Sequence, residues 1–265
     1  SGRGPYCKLM LLAADIGGTK TLLASAEADA SGDFVGVYEQ HYASDDFACF
    51  EDMLRAFFAE QPPTRRIHTA CLGIAGPIEG RRAKVTNLPW QLDADKLASE
   101  FHLGQVQFIN DFAAIGYGVP LLSEQDLCIL QSGEPLAQAP KAILGAGTGL
   151  GKALLFWCHD HYRVIATEGG HNHFAPCHGL QVELLQYLRQ RYEQVSEERL
   201  LSGQGIQNIF AFLQQKNQTE IGTAMQQALQ NADPATVIAA FAQEKHHAIA
   251  VQCLQLFCEI YGQCA

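Results

Sequence analysis

The chain has 265 residues, a formal net charge of -10, 48% hydrophobic residues and 17% charged ones. That length predicts about two domains, and the apolar share excludes extensive disorder. The acidic balance argues against a nucleic-acid groove, which needs clustered cations, because the densest here are the pairs Arg65-Arg66 and Arg81-Arg82. Nine cysteines scattered singly from Cys7 to Cys264, without CxxC pairs, predict free thiols in a reducing compartment. The apolar run after Lys8 is interrupted at Asp15, too soon for a signal-peptide core or a membrane span, so a cytoplasmic protein is expected.

From the amino terminus, residues 8–14 read as a buried strand, residues 15–20 (DIGGTK) as a turn and residues 21–25 as a second strand. The two glycines of this hairpin permit left-handed dihedrals and close approach of a ligand. Its amides and the Thr19 hydroxyl suit phosphate oxygens, and Asp15 suits a hydrated magnesium ion; an ordinary tight hairpin is the competing reading. Residues 45–60 carry Phe47, Phe50, Met53, Leu54, Phe57 and Phe58 at helical spacing, which predicts an amphipathic helix packed on a sheet. A strand over 68–74 ends in the GIAGP turn of 73–77. Residues 85–90 then present Asn87 and Trp90, an indole suited either to a sugar face or to a core. A short helix is predicted over 93–101.

Residues 107–114, QFINDFAA, organise the rest: a short apolar strand ends on Asn110 and Asp111 and a helix-like run begins. The carboxyl end of a strand is where open α/β sheets bind ligands. An aspartate there accepts a proton from a substrate hydroxyl while the neighbouring amide donates to a second oxygen. The other reading is that Asn-Asp caps the next helix.

Residues 121–134 read as a linker. Residues 141–152 (KAILGAGTGLGK) then repeat the opening device of apolar strand, glycine-and-threonine turn and apolar strand. The two copies predict related halves facing each other across a cleft and gripping a polyphosphate from both sides. In residues 164–178, Glu168 and His171 flank two glycines, as a hydroxyl-binding loop requires. A metal site built from His159, His161, His171, His173, Cys177 and His178 is the alternative, although their spacing matches no standard zinc pattern. Helices are predicted over 180–191, over 194–205 ending in a glycine turn, over 206–215 and 220–230, and as one long apolar helix over 235–261.

Together these motifs resemble the bacterial glucokinases outside the ROK group, within the superfamily of hexokinase, actin and the sugar kinases. The segments that carry the resemblance are 15–20, 73–77, 108–114, 144–151, 168–176 and 195–205, in family order and spanning almost the entire chain. The resemblance implies an α/β, two-domain ribonuclease H-like (actin/hexokinase ATPase) fold with an interdomain cleft. Residues 1–120 would form a small domain with the first phosphate hairpin and Asp111. Residues 121–265 would form a large domain with the second hairpin and the sugar loops.

The implied activity is ATP-dependent phosphorylation of glucose to glucose 6-phosphate, the first step of glycolysis, by in-line transfer of the γ-phosphoryl group with Mg2+. Asp111 is implied as the base beside glucose O6, Asn110 as its neighbour, and Glu168, His171 and Glu198 as partners of other hydroxyls. Asp15, Gly17, Gly18, Thr19 and Lys20 correspond to the first phosphate loop, and Gly147, Thr148 and Gly149 to the second. The resemblance also favours a homodimer. It implies roughly fifty further residues beyond the last helix, including a Gly-Gly segment against adenosine. After Gly205 this sequence has only Gly222 and Gly262, so the expectation is a chain without that segment, complete for the sugar and incomplete for the nucleotide. A catalytically silent sugar-binding or regulatory protein on the same fold is the alternative function.

Overall fold

A computed structural model describes residues 9–29, 34–244 and 247–265. They form two compact units, Ser1–Glu134 and Pro135–Ala265.

The first unit is built on a five-stranded sheet of order β3-β2-β1-β4-β8. Its strands are β1 (Leu9–Ile16), β2 (Lys20–Ala28), β3 (Phe34–Ala43), β4 (Ile67–Ile74) and β8 (Gln105–Asn110). A small sheet of β5 (Ile78–Glu79), β6 (Arg82–Lys84) and β7 (Gln91–Asp93) lies between the last two in sequence. β1 is antiparallel to β2 and parallel to β4, and β4 is parallel to β8. The carboxyl ends of β1, β4 and β8 therefore fall at one end of the sheet.

Helix α1 (Phe50–Glu60) contributes Phe50, Met53, Leu54 and Phe57, none more than 1% exposed. Each such burial contributes about 1.5–3 kcal/mol, enough to clamp the helix on the sheet. Its first turn begins five residues later than predicted from residue 45, because Ser44–Asp46 forms a separate 3-10 turn. Asp93 caps α2 (Ala94–Glu100) by accepting from the amides of Asp95 and Lys96. β8 then leads directly into α3 (Asp111–Gly118).

β3 had no counterpart in the sequence reading. It is an edge strand whose apolar residues Phe34, Val35 and Val37 stay exposed, so its apolar content does not mark a buried face. Tyr38, Gln40 and Tyr42 alternate inward, with Tyr38 5.4 Å from Phe57 and both tyrosine hydroxyls donating to Glu60.

The second unit opens with the antiparallel strands β9 (Lys141–Ala146), β10 (Leu150–Cys158) and β11 (His161–Thr167), in the order β11-β10-β9. Helices follow as α4 (Gly179–Arg189), α5 (Gly203–Asn217), α6 (Thr223–Asn231), α7 (Pro234–Gln243) and α8 (Ala248–Cys264). Their core gathers Leu184, Leu188, Ile209, Leu213, Ile238, Cys253 and Leu256.

Two predicted helices are corrected. Residues 194–205 do not form a helix ending in a glycine turn; a 3-10 turn, Glu197–Arg199, precedes a helix that starts at Gly203. Ser202 is the reason, because its hydroxyl accepts from the Gly205 amide and caps α5. Nor is 235–261 one helix. α7 ends at Gln243 and α8 begins at Ala248, where the sequence turns polar at Gln243 and Glu244 after the apolar residues of α7. Among the described residues no helix is long and apolar enough to cross a membrane.

Candidate active site

In the first unit, Asp15 lies inside β1, opposite Leu22 and Gly73, rather than in the turn where the sequence pattern put it. The turn itself is Gly17-Gly18-Thr19, closed by Gly17 N–H donating to the Lys20 carbonyl at 3.1 Å. Buried Ser44 fastens it from beneath. The Ser44 hydroxyl donates to the Gly17 carbonyl at 2.9 Å, and its amide donates to the Thr19 carbonyl at 2.9 Å. With those carbonyls engaged, the Gly18 and Thr19 amides have no acceptor among the described residues. Two successive N–H groups of the turn are thus left as open donors.

The expected reason for the glycines is corrected too. Neither adopts a left-handed φ; the constraint is space, since a Cβ on Gly18 would lie 3.0 Å from the Thr86 carbonyl oxygen. Lys20 starts β2 with an exposed side chain.

Asn110 and Asp111 arrive at the same sheet end through the register Ile74↔Asn110. The capping reading holds for Asn110. Asn110 Oδ1 caps α3 by accepting from the Ala113 amide at 3.1 Å, which leaves its Nδ2 donors for another partner. The Asp111 carboxylate accepts from the Phe112 amide at 2.8 Å through one oxygen, Oδ1. Partial burial and then the charge of Asp111 raise the Asp15 carboxyl above its ordinary pKa.

Asp15 therefore contributes stability that is fully present below its unfolded pKa and lost as pH rises through its raised folded value. At neutral pH its charge is a cost to the fold. Asp15→Asn should raise Tm at neutral pH, with the gain shrinking as the buffer is acidified into the carboxylate range. Equal melting temperatures of the two proteins at pH 7 would contradict this.

In the second unit the turn Gly147-Thr148-Gly149 closes on itself, Gly147 N–H donating to the Gly149 carbonyl at 2.8 Å. The Gly147 carbonyl accepts from Gly203 N–H at 3.0 Å, which ties the turn to the start of α5. Here as well, two amides in succession, Thr148 and Gly149, lack an acceptor among the described residues. Both turns thus leave two successive amides open, although the first closes from residue 17 to 20 and the second from 147 to 149.

Glu198 lies against this second turn. Its Oε2 accepts from the Leu150 amide at 3.0 Å, and a Cβ on Gly149 would fall 2.5 Å from that oxygen. His171 stands between two carboxylates, with Nδ1 3.3 Å from Glu168 Oε2 and Nε2 3.9 Å from Glu198 Oε1. The latter separation exceeds a hydrogen bond, so both groups keep unfilled capacity. Glu168, His171 and Glu198, scattered over 31 positions of sequence, are brought together here.

The pairing is stabilised by contacts that the sequence did not reveal. The Glu197 amide donates to the Asn172 carbonyl and the Phe174 amide to the Val195 carbonyl, which joins the two loops. The Glu197 carboxylate is paired with Lys152 of β10, both side chains largely buried. The adjacent acidic pair Glu197-Glu198 is the available signal, since one carboxylate anchors the turn and the other remains on the site.

Trp90 proves to be core, 3% exposed and 6.3 Å from Phe50, and offers no face to a sugar. The histidine-rich stretch is dispersed: His161 meets Asp160, and His178 meets Glu259. Among the described residues no three of His, Cys, Asp and Glu are grouped to hold a metal directly. The carboxylates of Asp15 and Asp111 lie close enough to interact, Asp15 being raised first by burial and then by the Asp111 charge, and such a donor pair is compatible with a cation held through its water shell.

A carboxylate at a parallel-strand end in the first unit, and a glycine turn between antiparallel strands in each unit, fit the ribonuclease H-like, actin/hexokinase class of phosphotransferases. A glucokinase from an Antarctic psychrotroph superposes with a TM-score of 0.79 at 30% identity, over 97% of this chain and 77% of that one. A ROK family glucokinase from Streptomyces griseus, solved in complex with glucose and AMPPNP, shares the fold with a TM-score of 0.56 at 20% identity, over 96% of this chain and 77% of that one. The glucokinase of Trichormus variabilis is 40% identical over 266 residues, covering 96% of this chain and 78% of the relative. The Glucokinase family model matches residues 12–265, and the chain belongs to the glucokinase family.

Proposed function

We propose that the protein catalyses ATP-dependent phosphorylation of D-glucose at O6, with Asp111 as the base and the two glycine turns as phosphate binders. The observation that carries the sugar assignment is the convergence of Glu168, His171 and Glu198. Two carboxylates and an imidazole supply acceptors and a donor for vicinal hydroxyls. Family membership and the glucose and AMPPNP complex of the Streptomyces relative support the substrates. No observation favours the alternative of a catalytically silent sugar-binding or regulatory protein.

In this reading the Asp111 carboxylate, on the first residue of α3, takes the O6 proton as the hydroxyl attacks the γ-phosphorus. Asn110 Nδ2 donates to an adjacent hydroxyl and orients it. Glu198 accepts from a ring hydroxyl while its Leu150 bond holds the carboxylate in place. The Gly18, Thr19, Thr148 and Gly149 amides receive phosphate oxygens, joined by the Thr19 hydroxyl and Lys20. Hydrated Mg2+ held by Asp15 would supply charge neutralisation of the phosphates.

Residence in the cytoplasm and a homodimeric state, both implied by the resemblance, belong to the same proposal. ADP release with ATP, magnesium and a panel of hexoses tests the central claim, with glucose-dependent turnover as the expected result. Turnover with no hexose dependence would overturn it.

A further inference from the structure

Residues 85–88 form a turn, with Leu88 N–H donating to the Val85 carbonyl at 3.4 Å. It rests on the phosphate turn of the first unit through a short chain of backbone contacts. Ala75 N–H donates to the Ile16 carbonyl at 3.1 Å, Thr86 N–H donates to the Ala75 carbonyl at 2.8 Å, and the Thr86 carbonyl packs over Gly18. Residue 87 then takes φ +66°, the left-handed region, on a side chain with a Cβ.

The position places the Asn87 amide beside the turn. A Cβ built on Gly18 would be 3.4 Å from Asn87 Cβ and 3.9 Å from Nδ2. Asn87 is exposed, and its side chain has no hydrogen-bond partner among the described residues. A neutral donor without an acceptor thus stands next to two backbone amides, of Gly18 and Thr19, that also lack one.

We propose that Asn87 is a further phosphate ligand: its Nδ2 donates to an oxygen of the nucleotide phosphates gathered by the Gly18 and Thr19 amides. This rests on the phosphate-turn reading above. An amide suits this place better than lysine or arginine, because it adds a donor without pairing with the carboxylates of Asp15 and Asp111. The ordinary account of the residue is conformational, since asparagine tolerates the third position of such a turn almost as glycine does. The two accounts separate cleanly. Glycine keeps the left-handed backbone and removes only the amide.

Asn87→Gly should melt no lower than the parent, yet lose on the order of 10-fold in kcat/KM for ATP with the KM for glucose unchanged. Asn87→Asp should lose more, since it sets a carboxylate against phosphate oxygens. Thr19→Ala, measured alongside, tests the turn itself. If Thr19→Ala weakens ATP use while Asn87→Gly does not, the turn reading stands and the Asn87 proposal fails. If neither changes ATP use, the Thr19 hydroxyl contact and the Asn87 proposal both fail, while the backbone amides remain as donors. A rise confined to the glucose KM in Asn87→Gly would overturn the phosphate assignment by making Asn87 a sugar contact.

Discussion

Asp111→Asn is expected to lower turnover by on the order of 10²- to 10⁴-fold while leaving glucose affinity close to that of the parent. The substitution is isosteric, and the asparagine oxygen still accepts from the Phe112 amide, so the start of α3 keeps its geometry. What disappears is the carboxylate proposed to accept the O6 proton. Direct glucose binding by calorimetry and kcat by ADP release separate the two effects. The same variant carries an independent signature: the Asp111 charge is one of the causes that raise Asp15, so the Asp15 pKa should fall when that charge is removed. Unchanged kcat would remove Asp111 from the mechanism, whatever happened to Asp15.

Glu198→Ala should cost about 10²-fold in kcat/KM for glucose and about 1–3 kcal/mol of stability, because one carboxylate serves two partners. Its Oε2 holds the Leu150 amide at the exit of the second glycine turn, and its Oε1 faces His171. Losing the first leaves a backbone donor unsatisfied beside the turn. Losing the second removes an acceptor for sugar. Glu198→Gln retains an oxygen for Leu150 and should recover most of the melting temperature but only part of the sugar affinity. A glucose Kd unchanged in both variants would exclude Glu198 from the sugar site and leave it a structural residue.

Membership of the glucokinase family was legible in the residues before any geometry, because the features that mark it are local. A glycine turn between apolar strands, Asn-Asp at a strand end and a Glu-Gly-Gly-His loop each spend their chemistry within a few residues. For the same reason the strands read from the sequence and most helices fall near their predicted positions. Where the reading missed, the deciding contact came from elsewhere. β3 is held by pairing with β2 and by Tyr38 against Phe57, neither of which apolar content alone announces.

The site divides in the same way. Glycines at positions 17, 18, 147 and 149 were evident as a pattern, with the wrong cause attached: the requirement at Gly18 and Gly149 is room for Thr86 and Glu198, not a left-handed backbone. Only tertiary structure shows that Ser44 engages the carbonyls of the first turn and so leaves its amides unpaired. Only tertiary structure brings Asn87 beside Gly18, and turns the Glu197-Glu198 pair so that one carboxylate meets Lys152 and the other faces His171. Residue types and their local spacing specify which chemistry a chain can perform. Which donors and acceptors are left without partners depends on contacts between residues distant in sequence, and that sum exists only once the chain has folded.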